Sequence, residues 1–172
     1  MPLIEAPFDS LVFLVALAVH VLAGITCVVT GIVAMLSRKA PGRHPQFGTA
    51  YYRALLVIFT TATVLSALRW AKDYHLFILG TLSFAAATLS RTALRKRWRG
   101  WVRLHIFGMG LSYILLLTAF YVDNGPNLPL WKELPPSAYW LLPSAIGIPL
   151  MVRALLRHPL VQHATGPTHD VT

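Results

Sequence analysis

The chain has 172 residues, 56% of them hydrophobic and only 12% charged, a composition that leaves no room for a separate soluble catalytic domain beside its apolar stretches. Its net charge of +9 would suit nucleic acid, but the basic residues sit in short connections between apolar stretches, which argues for topology instead. The one cysteine, Cys27, excludes a disulfide framework and a cysteine-ligated metal cluster.

Five apolar stretches fill most of the chain: residues 11–36, 54–68, 76–94, 101–122 and 138–156. A hydrocarbon core about 30 Å thick is crossed by roughly 20 apolar residues in a helix. The second stretch falls short of that length, and Tyr51, Tyr52 and Trp70 extend it. The reading is all-α. It is an integral membrane bundle of five transmembrane helices over residues 1–159, followed by a disordered cytoplasmic tail, 160–172.

The segment before the first stretch carries no positive charge, and the stretch itself is longer than the apolar run of a signal peptide, about 7–15 residues. It is therefore expected to stay in the mature protein, with Asp9 or Ser10 as the helix N-cap. Within it, His20, Gly24, Cys27, Gly31 and Ala34 follow steps of three and four, so they share one face. Small residues mark contact faces between helices in lipid, which predicts that Gly24 and Gly31 touch another helix.

The connection SRKAPGRHPQFGTAYYRA follows, and its prolines and glycines predict a break before Tyr51. The second stretch is rich in hydroxyls, Thr60, Thr61, Thr63 and Ser66, which bond back to their own helix or across to a neighbour. RWAKDYH reads as a loop, after which Gly80, Ser83, Ala87 and Ser90 line one face of the third helix. SRTALRKRWRGW reads as mostly helical, with a break at Gly100. The fourth helix carries His105, Gly108, Ser112 and Tyr113, and its outer end, with Tyr121 and Asp123, reads as an interfacial pair. The connection after it, YVDNGPNLPLWKELPPSAYW, has four prolines and several aromatic anchors and so should follow a fixed path. Pro143 and Pro149 predict a kink in the fifth helix.

Orientation follows from the charges. With the N-terminus outside and the C-terminus cytoplasmic, Arg38, Lys39, Arg43, Arg53, Arg91, Arg95 to Arg99, Arg103, Arg153 and Arg157 fall inside, while Arg69, Lys72 and Lys132 fall outside. Glu5, Asp9, Asp73, Asp123 and Glu133 fall outside and only Asp170 inside. Anionic lipid at the cytoplasmic face is a natural partner of the basic loops, and nucleic acid has no role.

The histidines are the remaining signal, because an ionisable residue within a span marks a functional position by default. His20 counts about 24 Å up from the cytoplasmic end of its helix. Arg69, Asp73 and His75 lie near that height, which forms an outer group, while His44, Arg53, Arg103 and His105 form an inner group. The preferred reading is structural: His20 hydrogen-bonds a hydroxyl, a carbonyl or a charged residue such as Asp73. The competing reading is haem b held by His20 with His75, or by His44 with His105, as in a two-haem membrane cytochrome. A divalent metal at His44 and His105 would lack a carboxylate or cysteine. His158, His163 and His169 read as solvent-exposed. No Ser-His-Asp set, HExxH or phosphate loop is present, and no acid lies within a span, which weakens a proton-coupled transporter.

The pattern His20, Gly24, Gly31, Arg38-Lys39, Gly42-Arg43-His44, Gly48, Tyr51 resembles the opening of a family of bacterial membrane proteins, domain of unknown function 2306. RLHIFGMGLSYILLLTAFYVDNG is similar to that family's later histidine-containing helix, and the chain departs from the pattern where Pro45 follows His44. The resemblance implies the same fold and a multi-pass place in a bacterial inner membrane, and it singles out His20, His44 and His105, but it implies no reaction. The function expected is a non-catalytic membrane or accessory subunit, in a homo-oligomer or with a membrane-complex partner. The alternatives are a haem-binding electron carrier and a small transporter or lipid-handling protein.

Overall fold

The computed structural model describes residues 7–38, 41–129, 131–158 and 161, with side chains from residue 11 onward. These residues are almost wholly helical, and there is no strand among them. The order is α1 (Pro7–Leu36), α2 (Arg43–Leu68), α3 (Trp70–Lys96), α4 (Trp101–Asn124), a short 3-10 turn (Gly125–Asn127) and α5 (Pro136–Arg157). Each of the five helices is long and apolar enough to cross a bilayer. The chain is all-α and a multi-pass membrane protein. The tail 160–172 lies outside the described residues apart from Val161.

Several boundaries differ from the sequence reading. α1 begins at Pro7, so Asp9 and Ser10 lie inside the helix and neither is its N-cap. α2 begins at Arg43, well before Tyr51, and takes in Pro45 and Gly48. Pro45 sits in the first turn, where it breaks no helical hydrogen bond, so the expected break falls earlier, at Pro41 and Gly42, and His44 is helical. The expected outer loop RWAKDYH is reduced to Arg69 alone. Its backbone N–H bonds to the carbonyls of Leu65 and Ser66, and its own carbonyl accepts from the N–H of Lys72 and Asp73. Residues 70–75 are polar enough to read as a loop but contain no proline or glycine to stop a helix.

The break near Gly100 holds. Arg97 adopts the left-handed conformation at φ 51°, and the N–H of Trp98 reaches back to the carbonyl of Ala93, which closes the end of α3 as a Schellman-type turn. The Arg97 guanidinium lies 4.5 Å from the ring centre of Trp101. Gly100, at φ 73°, then opens α4.

Two compact units divide the chain, residues 1–84 and 85–172, with the division inside α3. In the first unit α1 packs on α2. The pair is antiparallel: Cys27 meets Tyr51, and further along α1, Ala34 meets His44. Cys27, Thr30, Gly31 and Ala34 are buried, so this part of the small-residue stripe is a contact face. Gly24 is different: a Cβ built there meets nothing within 4 Å. The expectation that Gly24 touches a neighbouring helix does not hold within this unit, because the α1 face leaves room at that level. The first half of α3 meets α2 through Phe84, whose ring stacks on Phe59 and Tyr52 at 5.1 and 5.6 Å between centres.

In the second unit α4 packs on α5. The contact is reciprocal. Gly110 of α4 receives Met151 of α5, and Gly147 of α5 receives Ile114 of α4. Glycines at these two sites let the backbones approach as small residues do between helices in lipid. α5 runs unbroken through Pro143 and Pro149. Each proline removes the helical bond that the carbonyl four residues earlier would accept, from Tyr139 and Ala145 respectively. The connection before α5 is fastened by Tyr139. Its ring lies where a side chain at Gly125 would stand, and its hydroxyl donates to the carbonyls of Trp131 at 2.9 Å and Leu134 at 3.3 Å. Tyr121 adds a ring contact to Trp131 at 4.8 Å between centres. Tyr121 of α4 and Tyr139 of α5 therefore both contact Trp131.

Candidate functional site: the histidines between helices

Threonine hydroxyls inside the spans mostly bond back to their own helix. Thr26 donates to Leu22, Thr63 to Phe59, Thr81 to Phe77 and Thr118 to Ile114. A back-bonded hydroxyl has spent its proton and still offers a lone pair. His20 meets such an oxygen.

His20 reaches from α1 to α2, where its Nδ1 lies 2.9 Å from Thr61 Oγ1. That hydroxyl is also 2.8 Å from the carbonyl of Val57 and 3.1 Å from that of Ile58, and a carbonyl can only accept. With the single hydroxyl proton on its own helix, Nδ1–H of His20 donates to Thr61. His105 also meets a hydroxyl in the second unit, but there the hydroxyl proton crosses to the neighbouring helix. Ser90 Oγ is 3.1 Å from His105 Nδ1 and 3.1 Å from the His105 carbonyl, so the hydroxyl donates to the carbonyl and accepts from the ring. Gly108, one turn further along α4, allows this closeness. A Cβ there would lie 2.8 Å from Ser90 Cβ and 2.9 Å from the Ala86 carbonyl.

His44 is placed by helix ends. It sits in the first turn of α2, and its Nδ1 lies 2.8 Å from the carbonyl of Ala34 in the last turn of α1. The last carbonyls of a helix lack intrahelical donors, so the imidazole serves as a cap supplied by the next helix. A carbonyl accepts only, which places a proton on Nδ1 without ambiguity. All three histidines thus present Nδ1 to a protein oxygen, which leaves Nε2 as the nitrogen of each ring with ligand or base character.

The other expected members are more dispersed. Arg69 lies over the ring of Phe13, 4.9 Å from its centre, and ties the end of α2 to α1. Asp73 enters the first unit through its backbone: Ser66, itself buried, donates to the Asp73 carbonyl at 3.2 Å. His75 stands edge-on to Tyr74 at 5.7 Å between ring centres. Arg53 and Arg103 are exposed, and Tyr113 is half-buried. His44 belongs to the first unit and His105 to the second. Among the described residues no group of three or more His, Cys, Asp or Glu side chains could hold a metal ion. A bis-imidazole haem needs only two such groups.

Sequence reasoning named the three histidines but not their oxygens. Thr61 and Ser90 were each one hydroxyl among several, and only the crossing of the helices selects them. Gly110, Gly147 and Tyr139 carried no signal that set them apart in the sequence. Comparison of the chain with protein families, with curated proteins and with solved structures finds no match.

Proposed function

We propose that the chain is a non-catalytic subunit of a bacterial inner-membrane assembly, with its N-terminus outside and its C-terminus in the cytoplasm. The observation that carries this reading is the division between polar and apolar surface. The intramembrane histidines of α1 and α4 are bonded to hydroxyls of neighbouring helices, as structural crosslinks. The apolar surface instead faces outward: only 11% of the spanning window of α1, and of α5, is buried. Leu22, Ile25, Leu141 and Leu150 are each exposed by 60% or more. Lipid or a partner subunit covers such faces. The distribution of Arg and Lys supports the orientation.

Two measurements test this reading. After mild solubilisation, the protein should migrate as part of an assembly larger than one chain, and a bare monomer would overturn the subunit reading. In a Cys27→Ser background, single cysteines placed in 125–135 should react with an impermeant reagent on intact cells, and those in 97–100 should not. The reverse labelling would overturn the orientation.

One observation favours a second reading. A histidine that ligates iron or another metal ordinarily donates its other ring N–H to a carbonyl or side-chain oxygen. His20, His44 and His105 all do so through Nδ1. Their donor chemistry therefore fits haem b, with His20 and His75 in the first unit as the pair that would hold it. Haem would supply one-electron transfer there. A reduced-minus-oxidised absorption spectrum of protein expressed with haem available decides between the readings, since a Soret band lost in His20→Ala would replace the structural role by a ligating one. The resemblance to domain of unknown function 2306 supports the choice of these histidines and adds no reaction.

A further inference from the structure

The connection between α1 and α2 holds a cavity of about 550 Å³ that the histidine chemistry does not use. Its lining combines apolar Val33, Leu36 and Pro41 with polar Ser37, Arg38 and Arg43. We propose that this cavity seats the phosphate headgroup of an anionic phospholipid, with Arg38 and Arg43 as the phosphate-binding groups. The proposal rests on the membrane reading above and deepens it from a general attraction of basic loops to one site.

Charge carries the first part of the argument. The sequence contains no Asp or Glu between Asp9 and Asp73, and Asp9 sits in the first turn of α1, at the far end from these arginines, so no acid near the connection can neutralise them. Both are exposed, and among the described residues neither forms an ion pair. α2 also starts without an acidic residue in its first turn and without a side-chain cap, so no anionic side chain is supplied to its positive end. An anion from outside the chain is the missing partner.

The apolar lining identifies the class of anion. Leu36 is 83% exposed beside the arginines, and Met35 is 50% exposed on the same turn. A free phosphate would make no contact that uses these apolar side chains. A phospholipid places its phosphate on the guanidinium groups and its glycerol and upper acyl chain on Val33, Leu36 and Pro41. Guanidinium matches phosphate oxygens in a two-pronged fork, which a lysine cannot do. Ser37 contributes shape more than donation, because its hydroxyl already donates to the Val33 carbonyl at 2.6 Å.

The test uses the full chain purified in a neutral detergent, with native mass spectrometry to count retained lipid. Phosphatidylglycerol should be retained and phosphatidylcholine should not. Arg38→Gln and Arg43→Gln should each weaken retention about fivefold, and the double variant about 25-fold. Arg95→Gln with Arg99→Gln, in the other basic connection, should leave retention unchanged. Lipid-free thermal unfolding should match the parent for every variant, since all four side chains are exposed. Equal retention of phosphatidylcholine, full retention by the Arg38/Arg43 double variant, or an equal loss in the Arg95/Arg99 pair would overturn the site. Displacement of the lipid by millimolar inorganic phosphate would show a free-anion site instead and also overturn it. Orientation does not enter a detergent measurement, so failure here and failure of the topology experiment are separable.

Discussion

His20 on α1 and Thr61 on α2 are joined by a 2.9 Å hydrogen bond in which the imidazole donates and the hydroxyl accepts. The direction is set elsewhere: the Thr61 proton is engaged by the carbonyls of its own helix. A residue that bonds within its helix thereby becomes the receptor for a bond between helices.

That pair should be energetically coupled, but modestly. Interhelical hydrogen bonds in membranes average about 0.6 kcal/mol and reach about 1.7, because a separated helix finds other partners. A double-mutant cycle of His20→Leu and Thr61→Val, read from unfolding in detergent, should give a coupling energy in that range. A coupling near zero would mean that the two side chains are neighbours without a bond.

Glycine positions should divide sharply. Gly108→Ala places a Cβ within 3 Å of both Ser90 Cβ and the Ala86 backbone carbonyl, and backbone cannot yield as a side chain does. Its cost should be about 1–3 kcal/mol, the range for overpacking. Gly24→Ala and Gly80→Ala add a methyl where nothing lies within 4 Å and should be neutral in the same unfolding assay. Equal losses at all three would show that the helices are closer at Gly24 and Gly80 than described.

The reciprocal fit of α4 and α5 gives an ordered pair. At Gly147 an added Cβ meets Ile114, a buried branched side chain, with Cδ1 at 2.7 Å. At Gly110 it meets the end of Met151, with Sδ at 2.8 Å, and methionine is flexible. Gly147→Ala should therefore destabilise more than Gly110→Ala, and Ile114→Ala should relieve part of the first and none of the second. Thermal unfolding of the four variants checks the order.

Tyr139→Phe keeps the ring against Gly125 and removes only the hydroxyl that holds the carbonyls of Trp131 and Leu134. The expected loss is about 0.5–1.5 kcal/mol, and it should be local. Amide exchange should rise in 131–135 and stay at parental levels in α4. Uniform exchange across the second unit would show that Tyr139 supports the α4–α5 contact as a whole.

Sequence alone determined that the chain is all-α and has five helices fit to span a bilayer, because apolar runs of sufficient length admit no other satisfied backbone. It also placed Cys27, Gly31 and Ala34 on one contact face and Gly100 at a break, since spacing and glycine conformation are local properties. Tertiary structure decided the rest. Pro45 looked like a breaker but falls in a first helical turn, where no bond is lost, so His44 became a cap for α1. Gly24 kept the small-residue spacing yet has open space beside it. Thr61 and Ser90 were chosen as histidine partners, and Gly110 and Gly147 as docking points, only by where two helices cross. That crossing is a long-range property: it depends on the side chains of both surfaces at once, and no window along one helix contains it.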